Sequence, residues 1–310
     1  MSPSSLNVVV VAFNSAQVLP GLLASLPDGL AGLDWHLVVV DNASSDDSVD
    51  VVRRLAPDAT VVATGRNGGY AAGVNAGVAA GPPCEAVLVL NPDVRLDPEC
   101  APRLLRALRS SGAGLAVPRL RDARGELIPS MRREPSLVRA AADALIGAER
   151  AGRIGTLGEV ITDAGRYEAD TWTDWAEGST LLVSHECLTA CGPWDETFFL
   201  YSEETEFALR ARDRGFRTRY VAVAGAVHLE GDSAASPRLW PLVVANRLVL
   251  FRRRHGPVAT SAFWVLLVIR EGSRALLGRD TSRAALRGLF RPRWLWSPKG
   301  PQALVWSAPA

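Results

Sequence analysis

Two neighbouring glutamates, Glu203 and Glu204, follow the run Phe198-Phe199-Leu200-Tyr201 in the segment GPWDETFFLYSEETEFALRARDR (192–214). Paired carboxylates in an aromatic-lined crevice suit general-base work, because crowding and burial raise a carboxyl pKa. The plainer reading is a helix first turn, where acids complement the dipole. Asp93 stands in the turn Asn91-Pro92-Asp93, whose proline stiffens it toward a crevice. One carboxylate plus phosphate oxygens is a normal setting for Mg2+ or Mn2+, since Mg2+ keeps most of its waters. His228 could add a nitrogen ligand and tilt the choice toward Mn2+, although a lone histidine reads first as a satisfied imidazole. Asp41, in VVVDNASSDDS, can accept a hydrogen bond from a nucleobase imide or a ribose hydroxyl; the alternative is a helix-capping aspartate. In Asn67-Gly68-Gly69-Tyr70, with Gly73, Asn75 and Gly77, the glycines let the backbone approach a ligand. The alternative is a tight turn before a close-packed helix, and the pattern is not the GxGxxG of dinucleotide binding.

The elements that must position these residues alternate. Residues 6–13, 36–40, 60–63, 86–90 and 114–118 read as buried Val/Leu strands. Helical patterns over 16–26, 44–55 (capped by Ser44 or Ser45), 70–80 and 98–110 separate them. Continuous apolar strands alternating with helices predict an α/β fold, doubly wound, with a mostly parallel sheet covered on both faces. Ligands of such sheets sit at the carboxyl ends of the strands, where Asn14, Asp41, Asn67 and Asp93 fall. The stretch 119–175 is less periodic and predicts loops and short helices, mobile until something binds. Strands over 179–184 and 219–223 and helices over 186–191 and 202–214 complete the body.

The chain has 310 residues, 48% of them apolar and 22% charged, which excludes disordered and fibrous classes. Four cysteines are too few for a disulfide scaffold in a chain this long, the absence of a Cys-x-x-Cys pair argues against a structural zinc site, and they read as free thiols in a reducing compartment. The N-terminus has no positive n-region followed by a long apolar stretch, so no ordinary signal peptide is expected. The net charge of +1 hides an asymmetry: residues 1–237 hold 21 Arg against 31 acids, and residues 238–310 hold 12 Arg and Lys299 against Glu271 and Asp280. An acidic body with a basic tail points to an anionic surface as the tail's partner. Helical patterns over 239–255 and 260–277, basic flanks and Trp240, Trp264, Trp294 and Trp296 fit helices lying in a lipid interface rather than spanning it. The long apolar runs favour lipid over nucleic acid; the alternative is packing on the body or on a second subunit, as a homodimer.

Together, VVVVAFNS, VVVDNASSDDS, NGGYAAGVNAG, VLVLNPDV, EGSTLLVS, GPWDETFFLYSEETEFALR and VHLEGDS resemble the family 2 glycosyltransferases with the GT-A fold, in order over about residues 6–235. Within that family the segment 119–147 is similar to bacterial rhamnosyltransferases, which use dTDP-rhamnose and act on cell-envelope glycans or lipid-linked sugars. The resemblance implies a glycosyltransferase domain over 1–235, with a nucleotide-binding half (1–118) and an acceptor and catalytic half (119–235), followed by a basic helical tail (236–310). It places Ala12, Phe13, Asn14 and Asp41 at the nucleoside, and Asn67, Gly68, Asn75, Asn91 and Asp93 along the donor. It makes Asp93 and His228 ligands of Mg2+ or Mn2+ and Glu204 the catalytic base of an inverting displacement. Trp172, Trp175, Tyr201 and Glu203 fall on the acceptor side. Glu203-Glu204-Thr205-Glu206 stands where Glu-Asp-x-Asp is usual, and Asn91 replaces the first acid of Asp-x-Asp. The implied partners are a nucleotide-sugar donor, a glycan or polyprenyl-linked acceptor and, through the tail, the inner face of a bacterial membrane, with the protein itself cytoplasmic. The competing readings are a binding protein of this fold that has lost the chemistry and a sugar nucleotidyltransferase. VVVVAFNSAQ lacks the glycine-rich basic loop that the nucleotidyltransferase needs.

Overall fold

The computed structural model describes residues 5–229 and 238–291. The expected boundary at 235/236, the end of VHLEGDS, and Arg293, Trp294, Trp296 and Lys299 lie outside the described residues. β1 (Ser5–Ala12), β2 (Asp34–Asp41), β3 (Thr60–Ala63) and β4 (Ala86–Leu90) lie parallel in the order β3-β2-β1-β4. The two-residue period of a strand sorts their side chains into two cores. Val8, Val10, Leu88 and Leu90 join α1 (Leu19–Gly29), α2 (Ser48–Leu55) and α4 (Cys100–Ser111) on one face. Val9, Val11, Val87 and Val89 join α3 (Tyr70–Ala80), α7 (His185–Cys191) and α8 (Glu203–Asp213) on the other.

The sheet continues past β4 through β10 (Thr180–Ser184), β6 (Leu115–Arg121), β11 (Thr218–His228) and β5 (Val94–Leu96), with β8 (Thr171–Thr173) beside β11. β10 runs antiparallel to β4 and β6, whereas β11 is parallel to β6. β5 and β8 oppose β11. The sheet is therefore mixed but mostly parallel, as expected. It brings the ends of β1, β2, β4 and β11 and the starts of β5 and β10 to one edge.

The structure departs from the sequence reading at three places. The helix expected from residue 44 begins at Ser48. Residues 44–46 instead staple the β1–α1 turn: Asn14 donates its backbone N–H to Ser44 Oγ (2.9 Å), Ser45 N–H donates to Asn14 Oδ1 (2.8 Å), and Ala16 N–H to Asp46 Oδ2 (3.0 Å). The stretch 119–175 is tied down rather than loose. It holds β7 (Met131–Arg132), α5 (Leu137–Ile146), α6 (Ala148–Arg153) and β8, and β7 pairs with β9 (Trp175–Ala176). The buried Tyr167 hydroxyl accepts from Met131 N–H (2.9 Å) and donates to Ile161 O (2.8 Å). Such short pieces stitched across long separations leave no local period to read.

The tail forms three helices, α9 (Trp240–Arg254), α10 (Pro257–Leu276) and α11 (Asp280–Leu289), the last of them unexpected. They pack on α5 around Phe251 and Phe263, whose rings stack 4.0 Å apart. Part of the tail's positive charge is spent inside the molecule. Arg254 pairs with Glu134 (2.7 Å) and Asp213 (2.8 Å), Arg247 with Glu159 (2.6 Å), Arg270 with the buried Asp143 (2.7 Å), and Arg253 with Asp195. The charge asymmetry is thus in good measure a body and a tail that complement each other.

Candidate active site

Strand register assembles the first part of the site. β5 opposes the end of β11, so Val94 faces His228 and Leu229 N–H donates to Asp93 O (3.1 Å). Asp93 Oδ1 lies 3.3 Å from His228 Nε2. The ring's other nitrogen, Nδ1, lies 2.8 Å from Glu177 Oε1, which enters just ahead of β10. Burial works against charge on His228, yet its bonds to Asp93 and Glu177 outweigh this and push its pKa up to about 10. Burial likewise raises Glu177, but the His228 bond and charge and the Arg132 charge bring it below the usual carboxylate range.

The second part is the start of α8. Tyr201 and Ser202 have φ of 69° and 74°, two successive residues in the left-handed region that disfavours side chains. The surroundings hold them there. Asn246 of α9, fully buried, donates from its amide to Leu200 O (2.9 Å) and Tyr201 O (2.8 Å). Val249 and Leu250, one turn on, pack against Phe198. From the other side, Tyr70 N–H donates to Phe199 O (2.8 Å). Gly69 (φ 90°) lies so close that a Cβ would fall 2.2 Å from Phe199 O. Clamped this way, the turn buries Glu203 and leaves Glu204 partly exposed.

Glu203 is 3% exposed, and its pKa is raised well above the usual range, by burial and then by the Glu204 charge. It therefore offers no surface to an acceptor, contrary to expectation. Glu204 is pushed up to about 7, chiefly by burial and also by the Glu177 charge, while Arg132 draws it down. Gly178 runs beside it, where a Cβ would sit 3.0 Å from Glu204 Cβ. The Tyr70 hydroxyl is held well above its usual pKa by burial and by Glu203, Glu204 and Asp93, so these four groups share one neighbourhood.

The remaining expected residues are distributed as follows. Ala12 ends β1 opposite Asp41, both buried, and Phe13 beyond it is exposed. Asp41 Oδ1 accepts from Ser44 N–H (3.2 Å), and Asn42 Nδ2 donates to Gly69 O (2.9 Å), tying this end to the glycine turn. Asn67 Oδ1 accepts from Gly69 N–H (3.0 Å), with Gly68 between them. Asn91 takes a backbone bond to Ser179 O (2.9 Å). Two side chains are spent inside the fold: that of Asn14, on Ser45, and that of Asn75. The latter donates to Trp194 O and Glu196 Oε1 (both 2.9 Å) and accepts from Trp194 N–H (2.8 Å), which makes it a brace rather than a donor contact. Trp175 donates to Arg133 O (3.1 Å) and lies under Arg132. Trp172 pairs with Arg219 near the start of β11, at the opposite end of that strand from His228. Glu177, Asn246 and Arg132 were missed. Glu177 alone left a trace, as an acid beside Gly178 at the head of an apolar strand.

The donor set fits one divalent cation. Adjacent corners of an octahedron with bonds of about 2.1 Å lie roughly 3 Å apart, close to the Asp93–His228 separation. A carboxylate on the far nitrogen is the usual second support of a metal-bound histidine. Among the described residues no three His, Cys, Asp or Glu side chains form a metal cage, so substrate oxygens and water would complete the shell.

Residues 7–157 match the family described as Glycosyl transferase family 2. The chain is 29% identical over 300 residues to the N-acetylglucosaminyl-diphospho-decaprenol L-rhamnosyltransferase of Mycobacterium tuberculosis, covering 91% of this chain and 94% of that one. It is 29% identical over 231 residues to a low-salt glycan biosynthesis hexosyltransferase of Haloferax volcanii, covering 72% and 66%. Its fold resembles the Pyrobaculum calidifontis mannosyltransferase in complex with GDP-Man and Mn2+ (TM-score 0.56, 16% identity, covering 98% and 85%). It also resembles Staphylococcus aureus TarS in complex with UDP-GlcNAc (TM-score 0.53, 15% identity, covering 92% and 89%). Residues 7–157 are a family 2 glycosyltransferase domain, and the chain is a glycosyltransferase of the GT-A fold.

Proposed function

We propose that the enzyme transfers L-rhamnose from dTDP-rhamnose to a sugar carried on a polyprenyl diphosphate, by a single displacement with inversion. One observation carries the chemistry: a carboxyl with its pKa pushed up to about 7, Glu204, lies in one neighbourhood with Asp93, the partner of His228. Glu204 accepts the proton of the attacking hydroxyl, and its raised pKa makes it a stronger base than an ordinary carboxylate. Asp41, Ala12 and Phe13 form the nucleoside end, and Asn67, Gly68 and Asn91 line the path of the diphosphate. Asp93 and His228 would hold Mg2+ or Mn2+, which when bound neutralises charge on the leaving diphosphate. Trp175 and Tyr201 border the acceptor. The choice of sugar and carrier is supported by the name of the mycobacterial relative and its match along nearly the whole chain.

The tail bears on where the enzyme works. Among the described residues no helix is long and apolar enough to cross a membrane. α10 nevertheless buries its charged pair Arg270 and Glu271 and exposes Val258, Val265, Ile269 and Leu276. This inversion, beside exposed Arg279, Arg283 and Arg287, fits a cytoplasmic enzyme resting peripherally on an anionic lipid surface.

A thermal-shift screen of dTDP-, UDP- and GDP-sugars with Mn2+ tests the donor: dTDP-rhamnose gives the largest rise in Tm, and a preference for GDP-mannose overturns the rhamnose assignment. Glu204→Gln abolishes transfer with donor affinity nearly unchanged; undiminished turnover removes Glu204 from the role. Ile269→Glu reduces flotation with anionic liposomes, and equal flotation of variant and parent removes α10 from the membrane contact.

A further inference from the structure

Between the end of α8 and the β7–β9 ribbon lies a cleft of about 210 Å3 bounded by Arg132, Arg133, Arg166, Arg212 and Arg217. Asp174 is the one carboxylate in its wall, and it is already committed: to Arg212 (3.3 Å) and to the backbone N–H of Glu134 (2.8 Å). Arg212 is further satisfied by Glu134 (2.6 Å). The other four guanidiniums form no ion pair with a carboxylate among the described residues. Three of them are nonetheless held in place. Arg133 donates to Gly158 O (2.7 Å) and Gly155 O (2.9 Å), Arg132 donates to the carbonyls of Pro129 and Met131, and Arg217 lies 4.1 Å over the Trp172 ring. Crowded like charge disfavours the folded state unless something offsets it. Arg133 has its pKa lowered, first by burial and then by the charges of Arg139 and Arg166. Guanidinium forks fixed around a small cleft are the arrangement that phosphate oxygens fit.

The cleft adjoins the reaction centre. Arg132 belongs to its wall, and its charge is felt at both Glu204 and Glu177. Arg212 follows Glu204 by eight residues on the same helix, a rise of about 12 Å, comparable with one sugar plus a diphosphate. None of the residues on the donor side, Asp41, Asn67, Asp93 or His228, lines it.

We propose that this arginine cleft receives the diphosphate joining the acceptor sugar to its lipid carrier, so that the sugar lies against Glu204 while its linker lies among Arg132, Arg166 and Arg217. The inference rests on the reading of the acceptor as lipid-linked, and its test does not depend on turnover. The full chain is first saturated with dTDP and Mn2+ to fill the donor side, then titrated calorimetrically with a short-chain prenyl diphosphate. The parent and Arg54→Ala, a surface control on α2, bind equally. The double variant Arg166→Ala/Arg217→Ala, at two exposed positions that leave the core intact, binds at least about tenfold more weakly, as loss of charge-assisted bonds requires. Equal binding by parent and double variant, or none by the parent, overturns the assignment. Inorganic phosphate is the comparison arm: prenyl diphosphate binding about tenfold more tightly supports a lipid-linked source, whereas equal affinity marks a free-phosphate site and overturns the acceptor role. If prenyl diphosphate binds as expected while no rhamnose is transferred, the reading of the reaction fails and the cleft stands.

Discussion

At the scale of single residues, the site depends on proton affinities set by burial. In the proposed mechanism Glu204 serves as a base only when ionised, and burial pushes its pKa up to about 7. Transfer is therefore low at pH 5, rises through about pH 7 and levels above it, as kcat/KM against pH will show. Burial raises this carboxyl, so the fold favours its protonated form and loses stability as pH climbs from the ordinary carboxyl range through 7. Glu204→Gln removes that cost, and its Tm at pH 8 exceeds that of the parent although transfer is lost. Glu177 acts through His228. Glu177→Gln weakens Mn2+ binding by about tenfold or more, a change measured by titrating Mn2+ without any acceptor. The roles proposed for Asp93, His228 and Glu204 come from the resemblance of their motifs to the family, since residue type alone leaves a plainer reading open for each of them. Glu177 could not be assigned, since a lone acid before a strand says nothing about the histidine fifty-one residues later that it meets.

At the scale of elements, the turn ahead of α8 is the part most exposed to small errors. Its two left-handed residues are held by Asn246 from α9 and by the Gly69–Tyr70 backbone from α3. Asn246→Leu removes both donors and lets the turn relax; kcat falls by about tenfold or more with the donor KM little changed, since a 1 Å displacement of a catalytic group is costly. An Asn246→Gln variant that keeps the amide recovers part of the loss, which a purely packing role would not allow. The parallel strands β1 to β4 were legible because continuous Val/Leu runs and helical spacing are local signals. The middle of the chain was not, because β7, β8 and β9 are two or three residues long and owe their existence to partners far away in the sequence. Helix α11 escaped notice for a related reason: its buried residues are Ser282, Ala285, Gly288 and Leu289, and only the last is large and apolar.

At the scale of the whole molecule, the C-terminal helices belong to the catalytic body. Asp143 of α5 sits among Arg270, Arg274 and Arg247 with almost no exposure. Asp143→Ala takes from three crowded arginines the carboxylate they share, leaving Arg247 only Glu159 and Arg270 only Glu271, and costs about 3 kcal/mol, seen as a lower midpoint in urea. Taken alone, the charge imbalance points to an outside partner, because composition gives the sum of charges and not who faces whom. Much of that imbalance is an interlock between arginines of α9 and α10 and carboxylates at 134, 143, 159, 195 and 213. Anyone wishing to swap this tail for that of a related enzyme must therefore transplant both halves of each pairing, since a borrowed set of helices would arrive with keys cut for another lock.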